Sequence, residues 1–228
     1  MYARIFLFPV PTSPGKDYFN NDDKNYIGFA ELGYSFQYIR TNNINYPLTG
    51  KVYTASLTKR GFDLSGAVNM LTVSGAYNRY LSLGKNWYHS FGSIGFVKLP
   101  FKQPYINQPA MGYNEFYLRG LENYVIDGVA SLLAKYTLKK KVIAFDIPVP
   151  IKNKVVSKVP FQIFAKTFTD LGYTYNKFGP DTKLNNRLLY TGGFGIDILT
   201  LYDMNFSIEY SFNQLGQKGL FLHARGGF

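Results

Sequence analysis

Apolar and polar residues alternate with a period of two along much of this chain, most cleanly near its end. In residues 204–213, Met204, Phe206, Ile208, Tyr210 and Phe212 fall on one face, and Asn205, Ser207, Glu209, Ser211 and Asn213 on the other. Successive side chains of a strand point to opposite sides, so this pattern predicts a strand with one apolar and one polar face. Leu32, Tyr34, Phe36 and Tyr38 alternate in the same way with Glu31, Gly33, Ser35 and Gln37. Ala130, Leu132, Ala134, Tyr136 and Leu138 alternate with Ser131, Lys135, Thr137 and Lys139, and in 188–198 Leu188, Tyr190, Phe194, Ile196 and Ile198 are set against Gly193, Gly195 and Asp197.

Turn residues divide the pattern into about ten strands, at 2–8, 26–40, 51–62, 68–81, 89–101, 129–145, 160–175, 188–199, 204–213 and 219–228. Most reach the roughly 9 to 11 residues that cross a bilayer at a tilt. The breaks alternate between short ones, at 42–47, 83–86 and 200–203, and longer polar ones, at 11–25, 102–128 and 176–186. The connection at 148–160 is long although it falls on the short side. Short turns at one end and long loops at the other predict an all-β, antiparallel transmembrane β-barrel. Alternation alone equally fits a soluble sandwich or ligand-binding barrel with its apolar faces turned inward, and it does not show whether the strands close on themselves.

Composition narrows the classes. The chain has 228 residues, 18% aromatics, 22 Gly and no Cys, which fits one β-rich domain. No apolar run approaches the ~18 to 20 residues of a membrane-spanning helix. The absence of Cys excludes disulfide frameworks and thiolate chemistry. A net charge of +11 is spread along the chain, with Lys139-Lys140-Lys141 as its one run, so no compact nucleic-acid patch is expected.

Enzymatic chemistry is not expected either. Asp63, Asp127, Asp146, Asp170 and Asp197 are scattered, and His89 follows Trp87 and Tyr88 as an interfacial aromatic cluster would. His223 alternates with Phe221 and Arg225 on the polar face of the last strand. No metal-ligand spacing, phosphate loop, dinucleotide fingerprint or nucleophile elbow is present, so neither a metal nor a cofactor is expected.

Two residues stand out against this background. Arg119 lies in the long loop, within Phe116-Tyr117-Leu118-Arg119-Gly120-Leu121-Glu122-Asn123-Tyr124, and Asp170 lies in the strand segment Phe168-Thr169-Asp170-Leu171-Gly172-Tyr173. A guanidinium brought into a partly dehydrated interior needs a carboxylate, and Arg offers a bidentate geometry that Lys lacks. The two are therefore a candidate buried ion pair.

These segments resemble the BamA/TamA superfamily of outer-membrane barrels, the bacterial surface-antigen type. Leu118-Arg119-Gly120-Leu121-Glu122 is similar to its Arg-Gly-aromatic loop motif, with Leu121 where the aromatic usually stands, and Phe168-Thr169-Asp170-Leu171-Gly172 to its aromatic-x-Asp-x-Gly strand motif. Lys135 stands where some members carry a second acidic wall residue. Residues 38–50 resemble the family's strand and turn before a Pro-x-x-Gly, and residues 215–221 the closing hairpin of Bacteroidetes-type members.

The resemblance implies a loop folded into the lumen and locked to the wall through Arg119, Gly120, Leu121, Asp170 and Gly172. It also implies a terminal strand carrying Leu220, Leu222 and Phe228 that forms one side of a lateral gate. The chain would be a single barrel domain over 1–228, truncated at its N-terminus, holding the last ten of sixteen strands and no periplasmic repeats. The expected function is an assembly factor of the bacterial outer membrane that inserts client outer-membrane proteins by strand pairing, with periplasmic or lipoprotein partners. A translocation barrel secreting a partner or fused protein, and a small passive anion-preferring porin, remain the alternatives.

Overall fold

The computed structural model describes residues 2–9, 26–62, 69–113, 116–148, 158–177 and 182–225. Its strands are β1 (Tyr2–Pro9), β2 (Tyr26–Thr41), β3 (Gly50–Arg60), β4 (Met70–Gly84), β5 (Trp87–Leu99), β6 (Pro109–Met111), β7 (Ile126–Asp127), β8 (Ala130–Pro148), β9 (Lys158–Tyr175), β10 (Leu188–Leu199), β11 (Asn205–Asn213) and β12 (Lys218–Arg225). Ten of them form one sheet in the order β1-β2-β3-β4-β5-β8-β9-β10-β11-β12, and β6 pairs with β7 inside the loop between β5 and β8. Every pairing is antiparallel between neighbours in this up-and-down order. No described helix is long and apolar enough to cross a membrane.

The direction of the two faces decides what kind of sheet this is. On β11, Phe206, Ile208 and Phe212 are exposed while Ser207, Glu209 and Ser211 are buried. On β9, Leu171 and Tyr173 are exposed while Lys166, Asp170 and Thr174 are buried. On β10, Tyr190, Phe194 and Ile196 look out and Thr191 and Asp197 look in. A soluble sandwich has the opposite polarity, with its apolar face hidden from water. Apolar-out and polar-in is the arrangement of a barrel wall whose outer face meets hydrocarbon. Tyr38, Tyr53 and Tyr77 form an aromatic ladder across β2, β3 and β4, with ring centroids 5.8 and 5.2 Å apart. Cross-strand ring pairs of this kind help fix register.

The sheet curls so far that elements distant in strand order meet across its inner face. The β2–β3 turn reaches β10, and the loop between β5 and β8 reaches from Arg60 on β3 to Asn213 at the end of β11. Among the described residues β1 pairs only with β2 and β12 only with β11, so this sheet has two open edges.

Ten wall strands stand close to the expected boundaries, with some differences. β5 begins at Trp87, two residues before the expected start at 89, because the connection needs only Lys85 and Asn86, both with positive φ, after Gly84. β8 runs on to Pro148 and β9 starts at Lys158, so both extend into the connection expected over 148–160. The loop expected to be simply polar carries an apolar centre of its own. Met111, Leu118, Leu121 and Ile126 from the loop pack with Leu133, Leu184 and Leu189.

Candidate functional site

Asp170 sits on β9 with its side chain pointing inward and 0% exposed. Arg119 meets it from the loop. Its Nη2 lies 2.5 Å from Oδ1, and both its Nε and its backbone N–H donate to Oδ2 at 3.0 Å. The remaining guanidinium donor reaches Thr137 Oγ1 at 3.0 Å, and the guanidinium carbon lies 4.0 Å from the centre of the Phe168 ring. The cation is thus paired, hydrogen-bonded and stacked, which offsets the cost of removing it from water.

Two glycines and a leucine let the loop come this close. Gly120 has φ +87°, and a Cβ there would fall 2.9 Å from Ser211 Cβ. Its carbonyl accepts a hydrogen bond from Asn213 Nδ2 at 2.8 Å. On the wall, a Cβ at Gly172 would lie 2.9 Å from both Leu118 Cδ1 and Met111 Cε. Leu121, at the motif's aromatic position, is buried in the apolar cluster of the loop. Arg119, Gly120, Leu121, Asp170 and Gly172 are therefore brought together at one place on the inner face.

A second insertion, at the short turn expected over 42–47, enters from the opposite end. The β2–β3 turn is tied internally by Asn42 Oδ1, which accepts from the N–H groups of Leu48 and Thr49, and by Asn43 Oδ1, which accepts from Asn45 and Tyr46. It places Tyr46 against Phe164 and Leu199, with its hydroxyl donating to Asp197 Oδ2 at 2.7 Å. Burial, reinforced by the Asp197 charge, holds the Tyr46 phenol well above its ordinary pKa, so it remains a donor. Asp197 also accepts from Lys166 and from Ser207, the latter at 2.6 Å, and lies 3.3 Å from Lys139 Nζ.

The network continues from Lys166 to Glu209 Oε1 at 2.5 Å, and from Glu209 toward His223 and Glu122. Lys98 on β5, another residue the sequence reading missed, donates to the carbonyls of Asn107 and Pro109 at 2.9 and 2.6 Å and so supports the loop from below. What remains open between the two insertions is a cavity of about 240 Å³, lined by charged groups that include Arg119, Lys135, Lys139, Lys166 and Glu209. His89 stays apart from this network, with its ring 6.0 Å from that of Tyr136. On the last strand Leu220 and Leu222 are 65% and 72% exposed on the outer face, and Phe228 lies outside the described residues.

An antiparallel sheet that is apolar outside and polar inside, with a long loop docked on its inner face, is the wall of an outer-membrane-type β-barrel. Among solved structures the chain is similar to the crystal structure of BamA from Haemophilus ducreyi lacking POTRA domains 1-3, with a TM-score of 0.61 and 17% sequence identity. The match covers 92% of this chain and 46% of that one, so the chain spans about half the length of the structure it resembles. No protein-family model matches the chain, and no curated protein does. The fold is BamA-like.

Proposed function

We propose that this chain forms part of the barrel of an outer-membrane protein assembly factor, which works by strand pairing and not by covalent chemistry. The observation that carries the reading is the combination of an edge at β12 that is unpaired among the described residues with a loop docked on the inner face beside that edge. The outer edge of β12 offers main-chain donors and acceptors, and an incoming strand gains affinity by adding to such an edge. Left facing lipid, those groups would each cost several kcal/mol, so the edge requires a partner. Leu220 and Leu222 belong to this gate strand, and the loop, held through Arg119 and Asp170, fixes the wall behind it. The implied partners are the outer-membrane bilayer, client outer-membrane proteins, and periplasmic or lipoprotein assembly factors.

The same architecture suits a translocation barrel. A passive anion-preferring porin fits less well, because insertions from both ends dock on the inner face. Photo-crosslinking in growing cells tests the proposal. A photoreactive residue at Leu220 or Leu222 should capture newly made outer-membrane proteins, while one at Leu132, in the middle of the wall, should not. Equal capture at the two places, or capture of one secreted partner only, would refute the assembly role.

A further inference from the structure

Glu122, Glu209 and His223 come from three different elements and converge on one point. Glu122 follows the Arg119-Gly120-Leu121 segment of the loop, Glu209 is on β11 and His223 is on β12. In the β11–β12 register Ser207 faces His223 and Glu209 faces Phe221, so Glu209 and His223 are diagonal neighbours. Diagonal pairs on one face of a sheet are within reach of long side chains. His223 Nε2 lies 3.3 Å from Glu122 Oε1 and 3.8 Å from Glu209 Oε2.

These three atoms are shielded from solvent and face one another at ion-pair distance, but none makes a well-aligned hydrogen bond. Such atoms are costly to leave unmatched. The Glu209 side chain is only 5% exposed, and Lys166 takes its Oε1, which leaves Oε2 aimed at the histidine. A tetrahedral metal centre with bonds of about 2.1 Å holds its ligand atoms about 3.4 Å apart. The two histidine–carboxylate spacings of 3.3 and 3.8 Å are near that, and all three donor atoms lie within 4.8 Å of one another. The Tyr117 ring is stacked on the imidazole at 6.5 Å, and Lys135 Nζ lies 4.5 Å from the centre of that ring.

From this geometry we infer that Glu122, Glu209 and His223 form a binding site for one divalent transition-metal ion of the zinc type, which staples the docked loop to the last two strands. One imidazole and two carboxylates suit zinc-like ions better than calcium or magnesium, which prefer all-oxygen sets. The staple adds to two existing links between the loop and the β11–β12 hairpin, Asn213 to the Gly120 carbonyl and Gln217 Nε2 to the Tyr124 hydroxyl at 2.6 Å. The inference stands apart from the assembly role, since a metal can bind here whatever the barrel transports or inserts.

The test uses the full chain extracted from membranes in mild detergent, stripped with a chelator and titrated with Zn²⁺ against a chromophoric competitor. The expected result is one ion per chain. Glu122→Gln and His223→Gln should each weaken binding by at least the roughly 10- to 100-fold that loss of even an outer-shell partner costs, while His89→Ala should leave it unchanged. X-ray absorption of the Co²⁺-loaded wild-type chain gives a readout that needs no variant to fold, and should report one imidazole among oxygen donors. Absence of stoichiometric binding, binding unaffected by both Gln variants, or a coordination shell without imidazole would overturn the site and leave a histidine–carboxylate cluster only.

Discussion

Asp170 and Asp197 stand on adjacent strands, both on the inner face and both out of contact with water, at 0% and 1% exposure. Each receives a segment folded in from outside the wall, one from either end of the sheet. They differ in how the carboxylate is neutralised. Asp170 receives Arg119, so the incoming loop brings the opposite charge with it. Asp197 receives the neutral hydroxyl of Tyr46, while Lys139 and Lys166 of the wall supply the charge. An insertion that brings a bidentate counter-charge supplies much of what neutralises the wall carboxylate it docks on. An insertion that adds one hydrogen bond to an already neutralised site is supported by the wall but not required by it.

That difference orders the expected effects of substitution. Arg119→Ala should cost roughly 3 to 5 kcal/mol, because it strips the buried Asp170 of its bidentate guanidinium. Urea unfolding of the barrel in phospholipid vesicles measures this, and a loss below about 1 kcal/mol would mean the loop is not the counter-charge the wall depends on. Leu121→Ala should follow at about 2 to 4 kcal/mol, within the range for buried leucines, by opening a cavity between loop and wall. Its distinguishing sign is protease cleavage within residues 116–125 while the wall stays folded.

Gly172→Ala should cost about 1 to 3 kcal/mol, since the new methyl group pushes on Leu118 and Met111 and overpacks the contact. A compensating Met111→Ala should recover part of the loss, and no recovery would place the strain elsewhere. Tyr46→Phe should be the mildest, roughly 1 to 2 kcal/mol for one hydrogen bond to a carboxylate that keeps its two lysines. If Tyr46→Phe were as damaging as Arg119→Ala, the contrast between the two anchors would fail.

The two anchors were unequally legible in the sequence, for reasons that lie in the residues. Asp170 is a lone acid in an apolar strand, and Arg119-Gly120 sits in a loop too long to be only a connection, so both ends of that contact can be picked out one by one. The wall strands follow from their alternation, whereas the direction in which their polar face looks and the ends of β5, β8 and β9 needed the structure. Tyr46 gave no such sign. It lies in a turn rich in Asn, aromatic residues occur throughout this chain, and its partner is 151 residues away.

Asp197 stood in the sequence only as one of five scattered acids, on the same polar face as Gly193 and Gly195. A lone carboxylate on an inner strand face is a usable signal, since here Asp170 and Asp197 both mark where a segment folds in. The small β6–β7 pair and the apolar centre of the loop were hidden for a different reason. Met111, Leu118, Leu121 and Ile126 follow neither a helical nor a strand period, because they form a core only after the loop has met the wall.

A pair of double-mutant cycles tests the distinction most directly. One combines Arg119→Met with Asp170→Leu, the other Tyr46→Phe with Asp197→Asn, each followed by urea unfolding in the same vesicles. The expected coupling is at least about 2 kcal/mol between Arg119 and Asp170, toward the upper end for residues in contact, and under about 1 kcal/mol between Tyr46 and Asp197. Equal couplings, or a value for the first pair within the ~0.5 kcal/mol expected of independent sites, would contradict it.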